Sequence, residues 1–207
     1  MNPMNTLLVF MLASYIIPIA YVYYKYSSAN ASDASLMTRS ISSIITSQEA
    51  LFTINDGITV LQVRHFIAAC MFVMAIFTVL YEHQRCEMYL NSAWWSLLAI
   101  IVLLLGIFGV IYVPETNPTH YVFAGAVFLA IIGFMTWHTY YGSSSDPIGD
   151  NLRLILYAQI LFMVVTVIGV LQDAPIFAVE ALFLMNFAVF YLYLHFNCFS
   201  PLLPVKN

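Results

Sequence analysis

The sequence predicts an all-α integral membrane protein: a six-transmembrane-helix bundle with a long first extramembrane loop. Three observations predict it: scarcity of charge, six apolar runs of spanning length, and polar or proline-containing breaks between those runs. Only 8% of the 207 residues are charged, while 62% are hydrophobic and 16% aromatic. A soluble domain carries about 25% charged residues because its surface must meet water. Six basic and ten acidic side chains cannot clothe a water-facing surface of this size, so most of the surface meets lipid. The net charge of −4 also argues against a nucleic-acid partner.

A hydrocarbon core about 30 Å thick is crossed by about 20 apolar residues in helical form. The runs that meet this length are approximately 6–24, 65–81, 93–113, 121–140, 152–171 and 175–196, all within a single membrane domain, 1–207. The breaks hold turn residues: Pro114, Asn117-Pro118, the Gly142-to-Gly149 segment, and Asp173-Ala174-Pro175. Lys25 follows the first run with no evident small-residue cleavage site, so that run reads as an anchor rather than a signal peptide.

The loop 26–64 is rich in Ser and Thr. Within it Met37, Ile41, Ile44, Ile45, Gln48, Leu51 and Phe52 recur at helical spacing and predict an amphipathic helix lying on the membrane or capping the bundle. Tyr21, Tyr23, Tyr24 and Tyr26 close the first span, Trp94-Trp95 open the third, and Trp137, Tyr140 and Tyr141 end the fourth, as an interfacial aromatic belt does. Gly106 and Gly109 in the third span, with Gly125 and Gly133 in the fourth, read as helix-packing positions.

Orientation follows from the basic residues. With both termini cytosolic, the second and fourth loops and the C-terminus carry Arg85, Arg153 and Lys206, and the third and fifth loops carry no Lys or Arg. Lys25, Arg39 and Arg64 in the first loop count against this placement. The sequon at Asn30, a glycosylation candidate, favours a lumenal first loop. Arg85 and Arg153 then read as headgroup contacts.

Glu180 carries the most chemical information, lying about six residues, or roughly 9 Å, inside the last span. A carboxylate at such depth costs on the order of 2 to 3 kcal/mol unless partnered, and must face the bundle interior. Either a structural interhelical bond or a functional site would place it there. With spans alternating in direction, the second, fourth and sixth begin on the same side. Arg64 and His65 open the second and His120 opens the fourth, with Asp56, Glu49, Glu115 and Asp173 in the loops on that side. A polar cluster of Glu180, His120, Asp56, Arg64 and His65 is therefore expected.

Catalytic and metal signatures are missing. The sequence has no His-Glu-x-x-His motif, no Gly-x-Ser-x-Gly elbow, no Walker loop and no Cys-x-x-Cys pair. No enzyme activity, cofactor or metal is expected. Three functions fit the composition: a lipid-handling or regulatory membrane protein, a small transporter or channel with a polar line through Gln159, Thr166 and Asn186, or an accessory subunit of a larger assembly such as a respiratory complex or viral envelope. The expected partners are membrane lipids and proteins within the bilayer.

In order along the chain, several landmarks resemble the Frag1/DRAM/Sfk1 family of six-span membrane proteins. Ile54-Asn55-Asp56-Gly57 is similar to the family's Ile-Ser-Asp turn before the second helix, and His83-Gln84-Arg85 to the basic patch that ends that helix. Gly106-Ile107-Phe108-Gly109 lies in the third span, and His120, Ala124 and Phe128 match a His-x3-Ala-x3-Phe pattern in the fourth. Arg153 opens the fifth, and Glu180 with Phe187 marks the sixth. The Pro-Pro-Glu that usually follows the Asp turn is absent, and Ala181 stands where the family often has an aromatic residue. The resemblance implies an endomembrane protein of the lysosome, Golgi or ER, linked to autophagy or lipid distribution and acting as a modulator. It carries over Asp56, His120, Arg153 and Glu180 as its polar set.

Overall fold

The computed structural model describes residues 3–29, 40–46, 50–54, 58–88, 93–140, 146–172, 174 and 176–199. Among them, six helices are long and apolar enough to cross a membrane. They are α1 (Pro3–Ala29), α3 (Val63–Met88), α4 (Ala93–Tyr112), α5 (Thr119–Tyr140), α6 (Asp146–Leu171) and α7 (Phe177–Leu194). A five-residue π-helical turn, His195–Phe199, continues α7. The chain is an all-α, multi-pass integral membrane protein.

In the first loop the structure departs from the expected amphipathic helix. Helix α2 covers only Ile41–Ile45, and two strands follow, β1 (Ala50–Ile54) and β2 (Ile58–Gln62). They pair antiparallel, with Phe52 opposite Leu61 and Ile54 opposite Ile58. β-branched Thr53, Ile54, Ile58, Thr59 and Val60 lose side-chain freedom in a helix and suit a pleated ribbon, so strand propensity wins after one helical turn. Met37, Gln48, Asn30 and Asp56 lie outside the described residues.

The helices run alternately up and down. At one end, the terminal end, the start of α1 meets the end of α7: Asn5 Oδ1 lies 2.7 Å from His195 Nε2. At the other, the hairpin end, the Tyr23 ring of α1 stacks on Phe177 of α7, with centroids 4.8 Å apart. Neighbours in sequence pack side by side, α1 on α3, α3 on α4, α4 on α5, α5 on α6 and α6 on α7, while α2 touches α1, α3, α4 and α7 at the hairpin end.

Two glycines set the α4–α5 contact. A Cβ at Gly106 would stand 2.8 Å from Val127 Cγ2, and one at Gly109 would overlap the Phe123 ring. Gly125 and Gly133 have open space where a Cβ would be, so the close approach is built on α4's glycines and not on α5's. The core joins Tyr81, Ile100, Phe134, Phe183 and Phe190, all nearly solvent-free. Leu105, Leu129, Leu154 and Leu171 point outward and stay exposed. Such apolar exteriors are stable facing lipid. Trp94 and Trp95 are exposed at the start of α4, where interfacial rings belong.

Candidate functional site

An apolar cavity of about 170 Å³ lies inside the bundle. Every helix except α6 lines it: Met11 and Tyr15 from α1, Ile41, Ser42 and Ile45 from α2, Met71 and Met74 from α3, Leu103 and Ile107 from α4, Val127 and Phe128 from α5, and Phe183 and Phe187 from α7. Along α7 its lining runs from Glu180 to Tyr191, a span of about 16 Å at 1.5 Å per residue. Enclosed apolar cavities of about 150 Å³ stay dry and bind guests the size of benzene; this one is partly open. The two ends of the cavity differ in chemistry.

At the hairpin end the helix of Glu180 begins at Phe177, so Glu180 sits in the first turn of α7, about 4.5 Å from its start and shallower than the sequence suggested. Its Oε2 accepts the Ile41 backbone N–H at 2.5 Å. Glu115, in the turn between α4 and α5, accepts hydrogen bonds from the hydroxyls of Ser40 and Ser42 through Oε1. Two carboxylates from distant parts of the chain thus hold the first turn of α2, whose Ile41, Ser42 and Ile45 form one wall of the cavity.

Of the other expected members, Asp56 lies outside the described residues, and the bonds of His120 and Arg64 run elsewhere. His120 is 2% exposed, but its Nδ1 donates to the Val113 carbonyl at 2.6 Å. That bond closes the α4–α5 turn, which Asn117 also fastens by accepting the Thr119 N–H through Oδ1 at 3.0 Å. Arg64 donates from Nε to Gln62 Oε1 at 3.1 Å, and His65 is exposed. Glu180 acquires Glu115, α2 and the cavity as its surroundings, in place of His120 and Arg64.

At the terminal end lies a buried polar network that the sequence did not announce. Arg85, expected among the headgroups, is 1% exposed, and Glu82 beside it is fully buried. Helix α3 runs on to Met88 where the apolar run ends at Tyr81, and Thr78, Tyr81, Glu82 and Arg85 share its inward face at i, i+3, i+4 and i+7. Arg85 donates to Glu82 Oε2 from Nε at 2.9 Å and from a terminal nitrogen at 2.5 Å. The same terminal nitrogen donates to Ser96 Oγ of α4 at 2.6 Å, and Ser96 Oγ lies 2.9 Å from His138 Nε2 of α5. Tyr191 of α7 donates to Glu82 Oε1. Beside it, Tyr81 and His195 are joined at 2.7 Å, which extends the polar chain to Asn5 of α1. Five helices meet here through satisfied bonds, the arrangement that makes a buried charge pair tolerable.

Arg153 behaves differently: it is exposed, bonds Asp150 at 2.9 Å, and stands 5.9 Å over the Tyr140 ring. The proposed polar line through Gln159, Thr166 and Asn186 is a clamp between α6 and α7. Asn186 donates to Gln159 Oε1 at 2.6 Å and to the Ile155 carbonyl at 2.9 Å, and Gln159 donates to the Phe183 carbonyl at 3.0 Å. Thr166 bonds its own helix at Phe162. Among the described residues no three His, Cys, Asp or Glu side chains gather as a metal site.

The i, i+3 spacing of Glu82 and Arg85 was the signal that could have pointed to the terminal network, since such a pair closes on one helical face. The sequence matches no protein-family model, no curated protein and no solved structure.

Proposed function

We propose that this chain is a non-enzymatic lipid-handling membrane protein that takes a hydrocarbon chain into the central cavity, with the polar head at Glu180. One observation carries this reading: an apolar void inside the bundle ends at a carboxylate and is walled there by a separate short helix. A void lined by Met, Leu, Ile and Phe forfeits dispersion contacts that an alkyl guest restores. In this reading the hairpin end faces the lumen of an endomembrane compartment, both termini are cytosolic, and the chain acts as a modulator in the manner of the Frag1/DRAM/Sfk1 family. Six spans and a long first loop support that likeness. The transporter alternative has less support, because Gln159 and Asn186 bond one another and nearby carbonyls.

Native mass spectrometry of protein purified in gentle detergent tests the proposal. Wild type should carry a lipid adduct, and Ala188→Phe, which fills the cavity wall, should lose it while remaining monodisperse. Glu180→Ala should weaken retention. An adduct-free wild type, or one retained fully in Ala188→Phe, would remove the cavity reading.

A further inference from the structure

We infer that the ligand of the central cavity is a single-chain amphiphile with an ammonium head, an inference that rests on the lipid-handling reading above. The tail follows from shape. A void of about 170 Å³ stretched between Glu180 and Tyr191 is a slot for one alkyl chain and too small for two. Its floor needs no polar guest, since Thr78 already donates to the Met74 carbonyl at 2.8 Å and Tyr191 to Glu82.

The head follows from charge complementarity at the rim. Glu180 lines the cavity, and Glu115 is close enough for the two charges to repel. The donors at this rim, the Ser40 and Ser42 hydroxyls and the Ile41 N–H, are already directed at these carboxylates. Among the residues at this end whose side chains are described, the basic groups are Arg64, His65 and His120, and none of them lines the cavity. A carboxylate or phosphate head would therefore bring further negative charge to donors already engaged. An ammonium group brings three N–H donors and a positive charge. A carboxylate against an apolar cavity, as Glu180 is, gains most from such a charge-assisted partner.

The test uses the full chain in phosphatidylcholine nanodiscs with radiolabelled dodecylamine, dodecanol and dodecanoate, each corrected for uptake by empty nanodiscs. The three probes share a chain and differ only in the head. The amine should bind about tenfold more tightly than the alcohol, a preference of the size one charge-assisted bond provides, and dodecanoate should bind most weakly. Glu180→Gln and Glu115→Gln should each lower amine affinity towards that of the alcohol and leave alcohol affinity unchanged, which also shows that the variants are folded. If the alcohol or the acid binds wild type as tightly as the amine, or if the preference survives both substitutions, the ammonium assignment falls while the cavity reading stands. If none of the three binds, both fall together.

Discussion

The two ends of this bundle solve the problem of polar groups in a membrane protein in opposite ways. At the terminal end, opposite charges are paired: Glu82 and Arg85 neutralise each other, and Ser96, Tyr191 and His138 complete the network from three other helices. At the hairpin end, like charges are held near each other: Glu180 and Glu115 bind the hydroxyls and a backbone N–H of a five-residue helix. A balanced network ties together helices that span the membrane and has little to gain from a further partner. Two carboxylates holding one helical turn place like charges beside a cavity. The difference separates a fastening from an opening.

The largest effect should come from unbalancing the fastening. Arg85→Ala leaves the Glu82 carboxylate buried without its cation, and a broken buried pair costs about 3 to 5 kcal/mol. Thermal unfolding in detergent should show a large fall in midpoint for Arg85→Ala and for Glu82→Ala. The double variant Glu82→Leu/Arg85→Met, which removes both charges and keeps volume, should recover most of the loss. Equal melting of the two single variants and wild type would mean that the terminal network does not hold the bundle.

The same comparison explains what was legible in the sequence. Six spans followed from hydropathy because an apolar exterior is their direct consequence. Glu180 stood out because it interrupts an apolar run, and it does reach the cavity. Arg85 reads as a headgroup contact, and Glu82, Ser96 and His138 do not stand out, because each lies near a span end, where polar residues usually meet headgroups. Their burial depends on α3 continuing to Met88 and on α4, α5 and α7 converging there. Linear hydropathy carries neither fact. His120 misled for the opposite reason: it is buried as a site residue is, yet its ring turns back to Val113 seven residues earlier. Strand pairing in the first loop was hidden because Leu51 and Phe52 extend the helical spacing of Ile41, Ile44 and Ile45 into β1.

An intermediate effect is expected where the helices flanking Glu115 are pressed together. Gly109→Ala places a methyl into the Phe123 ring, and overpacking of this kind costs about 1 to 3 kcal/mol. Gly125→Ala and Gly133→Ala meet open space and should stay within about 0.5 kcal/mol of wild type. Because the α4–α5 turn carries Glu115, the Gly109 variant should also loosen α2, which the terminal-end variants should do only by unfolding the whole bundle. Equal melting of the Gly109 and Gly125 variants would show that the close approach of α4 and α5 contributes nothing to stability.

The smallest global effect, and the most local one, should follow from releasing α2 itself. Glu180→Ala removes the acceptor of the Ile41 N–H, a bond to a charged group whose loss is worth about 1.5 to 3 kcal/mol where it acts. That energy sits in the opening of a five-residue helix rather than in the bundle, so the melting midpoint should hardly move. Hydrogen exchange read by mass spectrometry should instead accelerate about tenfold or more in peptides containing Ile41, with Glu115→Ala adding to it through Ser40 and Ser42. Peptides covering Glu82 to Arg85 should exchange as in wild type, because their bonds lie at the far end of the cavity and share no partner with α2. Uniform acceleration at both ends would mean that Glu180 supports the bundle as Glu82 does, and the contrast between fastening and opening would be lost. Acceleration confined to α2 would make the cavity wall a separately opening unit, released by whatever competes for two carboxylates.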